Sequence, residues 1–287
     1  MTTSARELRD PRHFSVGTGL LYIGLLLGAL ITLMPIIYMF TRAIMPEGEQ
    51  MRWPVHWIPE EPTLGNFQRI LSDPTLPVFR WLINSLVVAT AVTALVLFIC
   101  SLTAYAYARL EFPGRDLIFF LLLTSLMIPG AVTFIPNFMM MRNLGWLDSF
   151  HGLIWIHGSS VFGIFLLRQH FLAIPKELEE AAFVDGAGRF RIYWQVALPL
   201  VTSAMVALGI FTFLGNWNDL FWPLVIMSDR NRLTLPVGLA VLGAGNYVQR
   251  GLTMAAAALA TTPPLILYAI FQRRIIAGIT LTGMGGR

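Results

Sequence analysis

Charge is the scarcest feature of this sequence. Only 13% of its 287 residues are charged, whereas 56% are hydrophobic. Soluble domains carry about 25% charged residues and somewhat under half apolar ones. So few charged side chains leave too little polar surface to coat a water-soluble globule. The composition therefore excludes a soluble enzyme, a disordered chain and an ordinary nucleic-acid-binding domain, and it indicates an integral membrane protein.

Cysteine and lysine are almost absent as well. The single cysteine, Cys100, lies in an apolar run and has no second cysteine to pair with, so we expect it to pack in the core. The only lysine, Lys176, precedes a glutamate, and no G-x-x-x-x-G-K-[ST] sequence occurs. The chain therefore lacks a P-loop for ATP phosphates. The five histidines do not cluster with carboxylates at metal-ligand spacing. We expect no cofactor and no metal in this chain.

Long apolar runs predict six membrane spans, because a helical span needs about 20 apolar residues. The predicted spans cover residues 18–41, 82–107, 117–136, 151–168, 198–223 and 252–271. Residues 1–17 and 273–287 are then terminal tails, and 18–272 is one transmembrane domain. Twelve of the twenty basic residues fall on the side of both tails. Since basic loops favour the cytoplasm, both termini are predicted to be cytoplasmic.

Glycine and proline are expected to break three of the predicted spans. Pro129-Gly130 interrupts the third, Gly209 and Gly215 interrupt the fifth, and Pro263-Pro264 lies in the sixth. Breaks in a span are tolerated where neighbouring helices or a cavity satisfy the freed backbone groups. We therefore expect a packed bundle with broken helices rather than six isolated spans.

Two predicted external segments, 42–80 and 216–250, are rich in tryptophan and proline. They fit either an aromatic belt at the lipid headgroups or a small structured cap that meets an extracytoplasmic partner.

Ionisable side chains are nearly missing from the predicted spans, and Asp219 comes closest to one. An ion-coupled carrier keeps such a group at mid-membrane, so a transport function here needs another source of energy. A membrane-embedded lipid-modifying enzyme would need a surface cluster of His, Asp or Arg, which the sequence does not suggest. Both remain less favoured alternatives.

The segment 174–199, between predicted spans four and five, carries the strongest signal. Pro175 suits the first turn of a helix, and the acids that follow suit its positive N-terminal end. Ala181 and Ala182 belong to a narrow apolar face of small residues, and Gly186 breaks the helix. A helix that lies on lipid favours bulky apolar side chains with basic flanks. This segment therefore fits a groove on a protein partner better than the membrane surface.

A series of short motifs follows a fixed order over residues 15–285. They are Asn84-Ser85-Leu86, Arg109-x-x-Phe-Pro-Gly-Arg115, Met127-Ile-Pro129, Glu180-Ala181-Ala182 with Asp185-Gly186, Val196-Ala-Leu-Pro199, Asn216-Trp-Asn-Asp219 and Thr234-Leu-Pro-Val-Gly-Leu239. The series resembles the second permease subunit of maltose-type, binding-protein-dependent ABC importers, and residues 174–199 resemble their EAA loop. Ser203 stands where that family often has a second proline, so we expect a straighter start of the fifth span.

The resemblance implies an all-α membrane protein, a six-span permease bundle with a cytoplasmic EAA coupling helix between spans four and five. It implies a second, non-identical permease subunit, two ATP-binding subunits and an extracytoplasmic sugar-binding protein as partners. The location would be the cytoplasmic (inner) membrane of a bacterium or archaeon. ATP and Mg would be bound by the partner ATPases, so this chain would not be an enzyme. Glycerol 3-phosphate or a glycerophosphodiester is the alternative substrate, since a related subgroup shares the subunit plan.

The resemblance also assigns residues. Coupling to the ATPase falls to Glu180, Ala181, Ala182, Asp185 and Gly186. Glu180 would pair with a basic residue of the ATPase, and the helix would act as a lever on spans four and five. Possible pathway-lining residues are Asn216, Trp217, Asn218 and Asp219, because amides and indoles suit hydroxyl-rich ligands. The alternative for these four is a helix-end cap at the membrane interface.

Overall fold

The computed structural model describes residues 16–54, 56–244 and 250–283, with side chains from residue 17 to residue 272 in those ranges. Over these residues the chain is helical and has no strand. The helices are α1 (Val16–Ala43), α2 (Glu47–Gln50), α3 (Gly65–Ser72), α4 (Val78–Arg109), α5 (Arg115–Thr124), α6 (Gly130–Asn143), α7 (Phe150–Ile154), α8 (Val161–Leu172), α9 (Lys176–Val184), α10 (Arg189–Ile192), α11 (Leu198–Leu200), α12 (Thr202–Trp217), α13 (Phe221–Ile226), α14 (Leu235–Gly243) and α15 (Arg250–Gly283). Two 3₁₀ turns, Ser125–Met127 and Trp155–His157, and a π-helix, Tyr193–Ala197, extend α5, α7 and α10.

Three helical stretches are long and apolar enough to cross a membrane: Gly17–Ala43, Val78–Arg109 and Arg250–Gln272. Three bent pairs meet the same criterion when each pair is taken together. They are Arg115–Met127 with Gly130–Asn143, Phe150–His157 with Val161–Leu172, and Arg189–Leu200 with Thr202–Trp217. The described residues therefore hold three spans, or up to six if each bent pair is one span. The chain is an all-α, multi-pass membrane protein.

The break at Pro129-Gly130 is confirmed. α6 begins at Gly130, and its axis is turned by 101° from the preceding helix. Proline disfavours helical backbone in the residue before it. Ile128 is accordingly extended, with φ −80° and ψ 114°.

The breaks expected at Gly209 and Gly215 are wrong, because α12 runs through both glycines without interruption. At Gly209 a Cβ would lie 3.3 Å from the Leu97 side chain, so this glycine allows α12 to approach α4 closely. The bend in this region, 78°, lies at Val201 instead, directly after the π-helix and α11. The straighter start expected from Ser203 is therefore wrong as well.

A break at Pro263-Pro264 is also wrong, since α15 continues through both prolines to Gly283. Pro264 has no N–H for the carbonyl of Ala260, four residues earlier. The indole N–H of Trp217 donates to that carbonyl at 3.1 Å. A side chain from α12 thus replaces the missing helical hydrogen bond, and this lets the helix continue.

The core forms around α4, which packs against α8, α12 and α14, while α1 packs along α15. Cys100 is fully buried on α4, as expected, and its thiol donates to the carbonyl of Ser160. At Gly163 of α8 a Cβ would lie 3.2 Å from the Cys100 sulfur. Small residues therefore allow α4 and α8 to cross closely.

The segment after α1 folds into a structured unit that includes α2 and α3. The side-chain amides of Gln50 and Asn66 both donate to the carbonyl of Met45, and both side chains are buried. A Cβ on Gly251, at the start of α15, would lie 2.2 Å from the Gln50 amide nitrogen. The unit therefore packs directly against the first turn of α15, where glycine leaves room for the Gln50 and Asn66 side chains.

Candidate functional site

The EAA-like segment forms a short helix, α9, that ends in a sharp turn. The N–H of Gly186 donates to Phe183 O at 3.0 Å, and the N–H of Ala187 donates to Ala182 O at 3.0 Å. This pair of bonds is the Schellman pattern, in which the residue after the cap adopts a left-handed conformation. Gly186 has φ +79°. The turn expected at this glycine is confirmed, and it leads to α10.

Two adjacent glutamates on α9 face different ways. Glu180 is exposed, as are Ala181, Asp185 and Gly186, so four of the five residues assigned to coupling lie on the surface of this chain. Glu179 instead points into the bundle, where its Oε1 lies 2.9 Å from Nε of Arg109. The Arg109 N–H is not aligned with that oxygen, so the contact is an ion pair rather than a hydrogen bond.

The Arg109–Glu179 pair was not identified from the sequence. The two side chains are only 5% and 12% exposed. A buried charge is stable only when it is paired, so the pair fixes α9 to the end of α4. Arg109 does begin one of the motifs that resemble the family, Arg109-x-x-Phe-Pro-Gly-Arg115. Its partner, 70 residues away, can be found only from the fold.

A cleft of about 820 Å³ opens beside this ion pair, between α9–α10 and the loop that joins α4 to α5. Charged residues of both signs line it, including Arg115, Lys176, Glu180 and Arg189. The exposed face of α9 therefore borders a concave, mixed-charge surface.

The four residues considered for pathway lining lie at the end of α12. The Asn216 amide donates to Thr212 O at 2.8 Å and the Asn218 amide to Leu214 O at 2.9 Å. Trp217 is buried, and its indole N–H donates to the carbonyl of Ala260 on α15. Asp219 accepts the N–H of Trp222 at 3.3 Å. The contacts in this chain resemble those of a helix-end cap, with Asn218 the exposed member.

At the opposite end of α4 from Arg109, three side chains hold the segment that leads into α14. The Trp81 indole donates to Arg230 O at 2.7 Å, and the Asn84 amide donates to Leu233 O at 2.9 Å. Ser85 accepts the N–H of Leu235 at 2.8 Å. The Asn84-Ser85 motif therefore serves as a clamp on a distant loop, which we call the α4 clamp.

Asp148 also bonds the backbone of this loop. Its carboxylate accepts the N–H groups of Asp229 at 3.0 Å and Ser228 at 2.9 Å. These bonds hold the pKa of Asp148 below its usual 3.8, chiefly through the Asp229 N–H, with Ser228 and Arg232 adding to the effect against the cost of burial. Asp148 also has φ +52°, a conformation that Asp and Asn tolerate better than most residues.

These features define a class: a multi-pass helical membrane protein with a short, exposed helix on a loop near one end of its central helix. Residues 98–280 match the model of the family described as "Binding-protein-dependent transport system inner membrane component". The chain belongs to this family, and it is therefore a membrane-embedded permease subunit.

Relatives cover nearly the whole chain. It is 33% identical to the arabinooligosaccharides transport system permease protein AraQ of Halalkalibacterium halodurans, over 93% of this chain and 96% of AraQ. It is 33% identical to the sn-glycerol-3-phosphate transport system permease protein UgpE of Yersinia pestis, over 90% of this chain and 94% of UgpE. The crystal structure of a bacterial ABC transporter involved in import of the acidic polysaccharide alginate contains a similar chain, with a TM-score of 0.79 and 26% identity, covering 91% of this chain and 98% of that one.

Proposed function

We propose that this chain is the permease subunit of an ATP-driven sugar importer and forms half of its translocation pathway. AraQ and the alginate transporter are both named for carbohydrate substrates and match over nine tenths of this chain. UgpE is equally similar and is named for glycerol 3-phosphate. That substrate is therefore the competing candidate.

Energy is supplied, in this proposal, by two ATP-binding subunits that hold ATP and Mg, and one of them docks onto α9. The observation that carries the proposal is that one face of this helix is anchored to the bundle while the neighbouring face is exposed. Glu179 anchors α9 in the bundle, while Glu180 and Ala181 are exposed beside it. Alanine permits a close approach of the partner, and Glu180 offers a charge for a basic partner residue. Asp185 and Gly186 form the turn that fixes the end of the helix.

The second permease subunit and lipid are proposed to cover α1. The apolar stretch of this helix has no buried residue within the chain, and Leu21, Leu26 and Ile31 are each at least 60% exposed. An apolar surface of this extent needs lipid or another subunit around it. A non-identical partner subunit would supply the other half of the proposed pathway.

The four α12 residues enter this proposal unequally. Trp217 serves packing, because its indole is buried against α15. Asn218 is exposed at the helix end and is the residue that we propose as pathway lining, whereas the Asn216 and Asp219 side chains bond backbone groups of Thr212 and Trp222.

The proposed location is the inner membrane of a bacterium or archaeon, with both termini in the cytoplasm and the sugar-binding protein outside. Residues 1–15 and 284–287, which include the ends of both predicted tails, lie outside the described residues. The backbone of α15 is helical from Arg273 to Gly283. Orientation is tested by labelling a cysteine at Trp53, which is 88% exposed, with an impermeant thiol reagent in intact cells. Labelling there, and none at a cysteine at Lys176, is expected.

The assembly is tested by gentle purification of the tagged chain from its native membranes. We expect a second permease and an ATP-binding protein to be recovered with it. ATP hydrolysis by this complex should rise when a sugar-loaded binding protein is added. A chain recovered alone and without ATPase activity, even after mild crosslinking in intact membranes, would contradict the proposal.

The substrate is tested on the binding protein itself. Arabino-oligosaccharides, maltose, trehalose, alginate oligosaccharides and glycerol 3-phosphate are titrated against it in parallel. Binding of a sugar in preference to glycerol 3-phosphate supports the sugar assignment. Preference for glycerol 3-phosphate would retain the importer and replace its substrate.

A further inference from the structure

The coupling loop (residues 174–199) is tied to α4 at three points, and all three start from one face of that helix. Ser101, Tyr105 and Arg109 follow each other at four-residue spacing, which places their side chains on the same side of an α-helix. We call these three residues the α4 ladder. Arg109 and Tyr105 both contact Glu179, and Ser101 contacts Tyr193 further along the coupling loop.

Arg109 holds the beginning of the loop. Its guanidinium donates to the carbonyl of Ile174, two residues before α9 begins, and the same group forms the ion pair with Glu179 on α9. One side chain therefore fixes both the approach to the coupling helix and the helix itself.

Tyr105 contacts the same glutamate as Arg109. Its hydroxyl donates to Oε2 of Glu179 at 3.4 Å. Its ring packs edge-on against Phe171, in the last turn of α8, with 5.6 Å between ring centroids. The Glu179 carboxylate is thus held by two residues of the ladder, which restricts its position more than one contact would.

Ser101 holds the end of the loop. Its hydroxyl shares a hydrogen bond of 2.8 Å with the hydroxyl of Tyr193, and both side chains are buried. Tyr193 is the first residue of the π-helix that follows α10, and its ring also lies 5.2 Å from that of Tyr105. The ladder therefore spans the coupling loop from its first residue to the π-helix.

Helix α9 has only nine residues and is far too short to be stable by itself in water. Its orientation must come from what it contacts. The path from the loop into α12 passes through the π-helix and the 78° bend at Val201, and the path from α8 passes through three non-helical residues, 173–175. The contacts with α4 are buried and reach one unbroken helix of 32 residues. At about 1.5 Å per residue, Arg109 lies roughly 36 Å along that helix from Ser85 of the α4 clamp.

We propose that the α4 ladder positions the coupling helix, so that α9 and α4 move as one body and α4 carries the displacement to the far end of the molecule. Ser101, Tyr105 and Arg109 are positioning residues in this account. This proposal differs from the expectation from the sequence, in which the coupling helix moves spans four and five. The inference rests on the proposed function, because it needs an ATPase that displaces α9.

The test is a distance measurement between spin labels in the purified complex. Labels are placed on cysteines at Phe98 of α4, which is 55% exposed, and at Lys176, the exposed first residue of α9. Cys100 is fully buried and is not expected to react. The distance is measured without nucleotide and with ATP in the presence of EDTA. We expect it to change by less than about 2 Å, the scale of helix shifts in switching proteins.

The Arg109→Gln variant supplies the contrast, and Arg168→Gln is its matched control. Arg168 lies near the same end of α4 as Arg109. Its guanidinium donates to Tyr107 O and stacks over the ring of Phe119, and neither partner belongs to the coupling loop. Arg109→Gln is expected to assemble and bind ATP, while its distance changes with ATP by more than about 2 Å. In Arg168→Gln the distance between the labels should stay as constant as in the unchanged chain. In Arg109→Lys it should change with ATP by less than in Arg109→Gln. If Arg109→Gln does not assemble, Tyr193→Phe, which removes one hydroxyl, replaces it and should broaden the distance distribution.

Two results would contradict the proposal that the α4 ladder positions the coupling helix. One is an ATP-dependent distance in the unchanged chain. The other is a distance that stays constant in every assembled ladder variant. Neither concerns the proposed function, which fails in a different way: the unchanged chain then recovers no ATP-binding subunit at all.

Discussion

Gly186 sets the end of the coupling helix through its backbone alone. A Cβ at this position would meet open space, yet φ is +79°, so a side chain there costs conformational energy without any clash. For an ordinary residue the left-handed conformation costs roughly 1–2 kcal/mol. Replacement therefore tests the turn without disturbing packing.

We predict that Gly186→Val leaves the amount of protein in the membrane unchanged and lowers stimulation of ATP hydrolysis by the loaded binding protein. Gly186→Asn is the matched control, since Asn tolerates the left-handed region. It should keep most of the stimulation. Full stimulation in the Gly186→Val complex would show that the turn is not needed for coupling.

Gly238 is required for a different reason, namely space. A Cβ on Gly238 would lie 2.1 Å from the ring of Trp81, which belongs to the α4 clamp. We predict that Gly238→Ala lowers stability by about 1–3 kcal/mol, as overpacking does. Gly243, at the end of the same helix, faces open space. Gly243→Ala should therefore stay within about 0.5 kcal/mol in thermal unfolding in detergent. Equal stability of the two variants would contradict this explanation of Gly238.

At the scale of elements, the hydrogen bond from Trp217 of α12 to Ala260 O of α15 replaces a helical bond that Pro264 cannot make. Trp217→Phe removes the donor to the carbonyl that Pro264 leaves free, and a buried unsatisfied group costs about 1–3 kcal/mol. We predict a lower Tm for this variant, with Trp155→Phe, on an exposed side chain, as the control. A Trp217→Phe protein of normal Tm that no longer transports would instead support a pathway role for this residue.

The loop between α13 and α14 depends on the ionised form of Asp148. Because hydrogen bonds hold its pKa below 3.8, the folded state favours the carboxylate. Its stabilising effect is thus present above the usual pKa and is lost as the pH falls through the lowered value.

We predict that Asp148→Asn, which also tolerates φ +52°, lowers Tm at pH 7 and that this difference disappears as the pH is lowered below about 3.8. Unfolding of both proteins in one detergent over that range measures it. A difference that is the same at both ends of the range would mean that ionisation of Asp148 does not hold the loop.

Local motifs predicted helix ends and breaks well where one residue determines the backbone conformation. They predicted them poorly where a contact with a distant residue determines it. Pro129 restricts its own neighbour, and Gly186 supplies its own left-handed turn, so both were visible in the sequence. Gly209 and Pro264 were expected to break helices. Each is instead accommodated by a partner from another helix, Leu97 or Trp217, which no local pattern contains.

At the scale of the whole molecule, composition and motif order were sufficient to predict a helical membrane permease. The comparisons confirm that family. The roles of Arg109 and Asn84 could not be predicted, because their partners lie 65 or more residues away and only the fold brings them together. α4 connects the two, with the ladder at one end and the clamp at the other.

The central claim is that α9 is the surface on which the ATP-binding subunit docks. A photocrosslinking amino acid at Ala181, which is exposed on α9, tests this most directly in the purified complex, with Trp53 as the exposed control position. We predict a crosslink from Ala181 to the ATP-binding subunit and none to it from Trp53. A crosslink from Trp53 to that subunit, or none from Ala181 in a complex that hydrolyses ATP, would contradict the account.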